Sequence, residues 1–142
     1  MTRPARDEGS VMVLTIGLVA VLLAAIVTVA SITQVQLQRA RLAHAADEAA
    51  LAAADTIDVD AYYATGTVRV DAGTLEDEAR AQLAVSARRQ GLAGAVLTRA
   101  SSPDGTTVEV TVALHAPVLF GASWLPGRVD LSASASARAL GP

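Results

Sequence analysis

The sequence predicts an α+β chain: a long N-terminal helix, then a small antiparallel sheet with one further helix. Three observations carry this expectation. Residues 9–38 contain no ionisable side chain. No proline interrupts the stretch between Pro4 and Pro103, and Gly17 is the sole glycine between Gly9 and Gly66. The C-terminal third instead alternates apolar and polar residues, the period of a half-buried strand. The expected organisation is a charged stub (1–9), a helix (10–54) that starts as an apolar span, and a small α+β domain (55–142).

The stub, MTRPARDE, is short and charged. The span that follows, VMVLTIGLVAVLLAAIVTVASI, is about 22 residues and about 33 Å long as a helix, enough for a bilayer core. A secretory signal would need an apolar region of about 7–15 residues and a small-x-small site. Thr28-Val29-Ala30 offers such a triplet, but the run is too long, so a retained anchor is expected. Arg3 and Arg6 before the span balance Arg39 and Arg41 after it. The N-terminal amine tips the count toward an N-inside, C-outside orientation.

Good helix formers continue past Ile32 in TQVQLQRARLAHAADEAALAAAD. One helix from Ser10 to Ala54 would be roughly 68 Å long. Small residues recur along it at helical spacing. Gly17, Ala20, Ala24 and Thr28 form a stripe within the span, and Ala43, Ala46 and Ala50 lie beyond it. Such stripes let a neighbouring backbone approach closely, which makes these residues candidates for lateral helix association. The other reading is compositional. Arg without Lys and abundant Ala, Val and Gly fit a high-GC bacterial genome, and Ala then simply propagates the helix.

Asp55–Tyr63 is acidic and reads as a loop or short extended link. Thr67–Val70 reads as an edge strand. Thr74 with Asp77 has the pattern of a helix N-cap, and the helix should run from Leu75 to Gln90, burying Leu75, Ala79, Leu83 and Ala87. Arg88 and Arg89 suit its C-terminus, and Gly91 can end it in the left-handed conformation. Ala95–Ala100 is an expected strand, and Ser101-Ser102-Pro103-Asp104-Gly105 a turn. In TVEVTVAL, Val108, Val110, Val112 and Leu114 share one face. In VDLSASASARAL, Val129, Leu131, Ala133, Ala135 and Ala137 share another, and this small face suits docking of the long helix. Trp124, between Pro117 and Pro126, either plugs the sheet or joins Phe120 and Leu125 in an apolar contact loop; burial is the expectation.

Composition narrows the chemistry. The net charge of −3 and the lack of a basic patch give nucleic-acid binding no support. Cysteine is absent, which excludes disulfides, thiol catalysis and thiolate metal sites. His44 lies four residues before Glu48, a spacing that can place two metal ligands on one helix face, but no third ligand is evident. A solvated face is the expected role. His115 has no recognisable partner. Ser132, Ser134 and Ser136 sit on a regular strand rather than at a nucleophile elbow. Asp58, Asp60 and Glu76–Glu78 lack a calcium-loop pattern. No catalytic residue, metal site or cofactor is expected.

The run Arg6-Asp7-Glu8-Gly9-Ser10, then a span, then RARLAHAADEAALAAAD resembles the TadE/TadG-like pilus-assembly proteins. The closing TVEVTVALHAPVLFGASWLPGRVDLSASASARA is similar to the same group, while the middle, about residues 56–93, is not diagnostic. The resemblance implies a pilin-like component of a Flp (tight-adherence) pilus or related secretion apparatus, held in the cytoplasmic membrane with its C-terminal domain outside. Its implied partners are the lipid bilayer and other membrane proteins of that apparatus. Gly9-Ser10 matches the prepilin-type cleavage junction of some relatives, but Leu14 stands where their mature chains carry Glu. An unprocessed chain is therefore expected. Two functional classes follow: a structural or assembly component associating through its helix, and a membrane-tethered binding or sensor module.

Overall fold

The computed structural model describes residues 7–56, 59–117 and 128–139. The Phe120, Trp124 and Leu125 loop, Asp58 and the stub residues 1–6 lie outside them. The fold is α+β: α1 (Asp7–Ala54), α2 (Val59–Thr65), α3 (Leu75–Gln90), then β1 (Val96–Ser101), β2 (Thr107–Pro117) and β3 (Arg128–Arg138). The chain divides into two compact units between Gln34 and Val35.

In the first unit, the helix runs without a breaker. Its hydroxyls turn back on the helix: Thr15 donates to the Val11 carbonyl, Thr28 to Ala24 and Ser31 to Val27, each at 2.8 Å, and Thr33 to Val29 at 3.0 Å. Each therefore satisfies its donor without water.

The second unit takes the remaining turns of α1 as its own. Leu42, Ala45, Ala46, Ala49, Ala50, Ala53 and Ala54 are buried, at spacings of three and four that define one helix face. They join a single hydrophobic cluster with Leu75, Ala79 and Leu83 of α3 and with the inner face of the sheet. The sheet is an antiparallel meander in the order β1-β2-β3. Val108, Val110, Val112, Leu114 and Ala116 form its buried centre. On β3, Leu131 and Ala137 are buried while Val129, Ala133 and Ala135 pack half-buried against the same cluster, so the small face points inward. With so few aromatics, close approach of small side chains replaces bulk in filling the core.

Four local expectations change. The Asp55–Tyr63 stretch is not simply a link, because α2 forms from Val59. Nothing in VDAYYAT breaks a helix, and Gly66 ends it at φ 68°, donating its N–H to the Tyr62 carbonyl at 2.8 Å. Thr67–Val70 is not a strand: Val70 alone makes a bridge, donating to the Gly105 carbonyl at 2.9 Å. Thr74 is not a side-chain cap. Its hydroxyl donates instead to Asp71, whose carboxylate also accepts the Gly73 N–H at 2.9 Å. Asp71 thus organises the entry to α3, an Asx turn in place of the expected threonine cap. Finally, Ser86 rather than Ala87 takes the fully buried position on the last turns of α3, while Ala87 is half-buried. Gly91 ends α3 at φ 68° as expected, its N–H donating to the Ala87 carbonyl.

Candidate functional site

The feature that distinguishes this molecule is the surface of α1. Over residues 9–30 every position is exposed; Val13 and Leu14 each present 73% of their surface and Leu22 55%. A run of Val, Leu and Ile this long is not left in water by a soluble fold, since an apolar patch of that extent marks an interaction surface. Among the described residues, α1 is the one helix long and apolar enough to cross a membrane. Residues 9–38 hold no charge, and the hydroxyls of Thr15, Thr28, Ser31 and Thr33 are internally bonded. Both properties suit a hydrocarbon environment, where an unsatisfied polar group costs several kcal/mol.

The helix-association candidates fall into two groups. Gly17, Ala20, Ala24 and Thr28 are exposed along one side of the apolar half, and a Cβ placed on Gly17 would meet nothing within 4 Å. Ala43 is exposed too. Ala46 and Ala50, at 0% and 1% exposure, instead belong to the chain's own core. Their small size serves the fold of the second unit, because a larger side chain would hold the helix off the residues that cover it. Gly9 and Ser10 lie within the first turns of α1, exposed.

Both carboxylate oxygens of Glu48 have partners within the chain. His44 Nε2 stands 3.4 Å from one carboxylate oxygen of Glu48, while the other accepts from the Ser86 hydroxyl and, at 2.8 Å, from Arg89. Arg41 adds a longer bond of 3.4 Å to the Gln90 carbonyl. Together these groups fasten α1 to α3. The Ser86 hydroxyl, then Arg89 and His44, hold the Glu48 carboxyl below its ordinary pKa against the opposing effect of desolvation. Sequence reasoning missed this pairing, although a serine on the apolar face of α3 was a visible signal. Among the described residues, no group of three or more His, Asp or Glu side chains comes together as a metal site.

His115, unpaired by sequence reasoning, sits directly across from Asp130 in the β2–β3 register, and their side chains meet at 2.5 Å. The Ser132, Ser134 and Ser136 side chains lie on the exposed face of β3, where Ser134 bonds the Thr111 hydroxyl at 3.1 Å. Asp104 closes the β1–β2 turn by accepting from the Thr106 and Thr107 N–H groups at 2.9 and 2.6 Å, and from the Thr107 hydroxyl. These bonds, the Thr107 N–H foremost, hold its carboxyl far below the usual carboxylate range. A cavity of about 520 Å³ is lined by Arg69, Asp71, Leu75, Glu76 and Ser102 among others. Asp71 and Glu76 are already engaged there, with the start of α3 and with Arg80.

An exposed apolar helix joined to a small α+β unit defines the class: a protein with one helix long and apolar enough to anchor it in a membrane. Residues 9–56 match the Tad family model, Flp pilus-assembly TadE/G-like. The matched segment coincides with α1 almost end to end, so the similarity to the TadE/G-like pilus-assembly family rests on this helix. No curated protein and no solved structure matches the chain.

Proposed function

We propose that this protein is a membrane-anchored, non-catalytic structural or assembly component of a Flp-type pilus or a related secretion apparatus. The observation that carries the reading is the coincidence of the family match with a helix whose apolar half is exposed. In this reading the apolar half of α1 crosses the cytoplasmic membrane once, N-terminus inside, and the α+β unit stands outside. Gly17, Ala20, Ala24, Thr28 and Ala43 face other membrane proteins of the apparatus. The chain stays unprocessed at Gly9-Ser10, because Leu14 lacks the carboxylate that the prepilin-type junction carries.

The absence of cysteine makes the test direct. Single cysteines at Ala20, Ala24 and Ala43 are crosslinked in native membranes. Specific products with pilus-apparatus proteins support assembly, whereas uniformly absent products point to a tethered binding module. That second reading draws on the cavity beside Arg69, and its ligand would be sought there. Intact-mass measurement of the extracted protein decides processing: a mature start at Ser10 overturns the unprocessed chain.

A further inference from the structure

A three-stranded sheet has two edges, and here they are built differently. Each edge strand exposes a row of unpaired N–H and C=O groups that can template another strand, and natural sheets blunt such edges with short length, bulges or charge. The β1 edge has all three protections: six residues, a register irregularity between Leu97 and Arg99, and a charge at Arg99. The β3 edge has none of them through its centre. It is eleven residues long and pairs with β2 without a register shift. From Leu131 to Ala137 it carries neither charge nor proline. Among the described residues, β3 pairs with β2 alone.

We propose that this open edge is a self-association surface, at which β3 pairs antiparallel with β3 of a second copy of this chain about a two-fold axis at Ser134. The charge pattern selects that register. Centring on Ser134 places Asp130 opposite Arg138 of the copy, and symmetry supplies the pair a second time. Ser132 then faces Ser136 across the axis. On the inner face, Leu131 meets Ala137 and Ala133 meets Ala135, so apolar pairs stay with apolar pairs. Any other antiparallel register loses both Asp130–Arg138 pairs, and a slip by an odd number of residues along the partner would mix the two faces. The serines and both charged residues lie on the exposed face, so their side chains are free to meet those of the partner strand. This surface is separate from the helix contacts proposed above, so its failure leaves the pilus-assembly reading standing.

The test uses the full-length protein in detergent micelles. Residues directly opposite in an antiparallel pair have Cβ atoms about 4.5–5.5 Å apart, so Ser134→Cys should form a disulfide-linked dimer under mild oxidation. Ser132→Cys or Ser136→Cys alone places its two thiols about 14 Å apart along the strands. Each should crosslink at least fivefold less, while a mixture of the two should recover the product. Asp130→Arg and Arg138→Asp should each weaken dimerisation about tenfold by sedimentation equilibrium, and the double swap should restore it. Thermal unfolding of each variant confirms that the fold persists, since Asp130 also meets His115. The proposal is overturned by a monomeric Ser134→Cys protein, by equal crosslinking at positions 132, 134 and 136, by capture of a different protein at Ser134, or by a folded double swap that stays monomeric.

Discussion

The two halves of α1 belong to one unbroken helix and meet opposite surroundings. Between Gly9 and Ala30 every side chain is turned outward, and between Leu42 and Ala54 a whole alanine face is closed off. Helix propensity favours the Ala-rich second half over the Val- and Ile-rich first, yet both are helical. What separates them is the medium each half must satisfy. The first half carries no charge, and Thr15 and Thr28 bond their hydroxyls to its own backbone, which suits a lipid-facing helix. The second half carries Arg41, His44, Asp47 and Glu48 around an alanine face, and its core is the one it shares with the sheet.

The largest test of this contrast is Leu42→Ala. Leu42 is fully buried, so truncation should cost about 2–5 kcal/mol of unfolding free energy. Leu18→Ala, in the outward half, should leave denaturant unfolding of the same protein unchanged. Equal effects would abolish the distinction between the halves. Leu22→Arg should then do what no core substitution does, raising the cost of insertion by about 3–4 kcal/mol. Its readout is the fraction of protein resisting alkaline extraction from membranes.

Alanines sharpen the comparison further. Ala49→Leu overfills a position with no exposure and should destabilise the domain by about 1–3 kcal/mol. Ala24→Leu should not change domain stability and should act only on lateral crosslinking. A smaller effect is pH-dependent. The folded pKa of Glu48 is depressed, so the stability it contributes is present above its unfolded pKa of about 4.3 and is lost as pH falls through the folded value. Thermal melts of Glu48→Gln should therefore fall below the parent at neutral pH and converge with it in acid. The smallest change is His44→Ala, within about 0.5 kcal/mol, because its contact with Glu48 is exposed.

Much of the architecture was legible because it is periodic. The uninterrupted apolar run, the α3 boundaries at Leu75 and Gly91, and the alternation along β2 and β3 are local properties, and local rules read them correctly. Local rules failed where two patterns competed or a partner was distant. Asp71 draws the Thr74 hydroxyl back to its own carboxylate, so the expected cap to the first turn of α3 does not form. Residues 59–65 became α2 because an acidic composition suggests a loop but does not forbid a helix. Ser86 and Arg89 lie 38 and 41 residues from Glu48, and no spacing rule connects them.

The sequence by itself determined that this protein carries a long, uncharged apolar helix and that an alternating sheet follows it. Composition along a helix or strand sets its period and its preferred medium whatever packs beside it. Only the tertiary structure decided which small residues face outward and which are spent inside: Gly17, Ala20 and Ala24 remain exposed, whereas Ala46 and Ala50 are enclosed. It also decided that His115 meets Asp130 and that, among the described residues, one sheet edge is guarded while the other has no partner strand. The physical reason is that burial and register belong to pairs of surfaces, and a residue's own neighbours in the chain do not specify the surface it will meet.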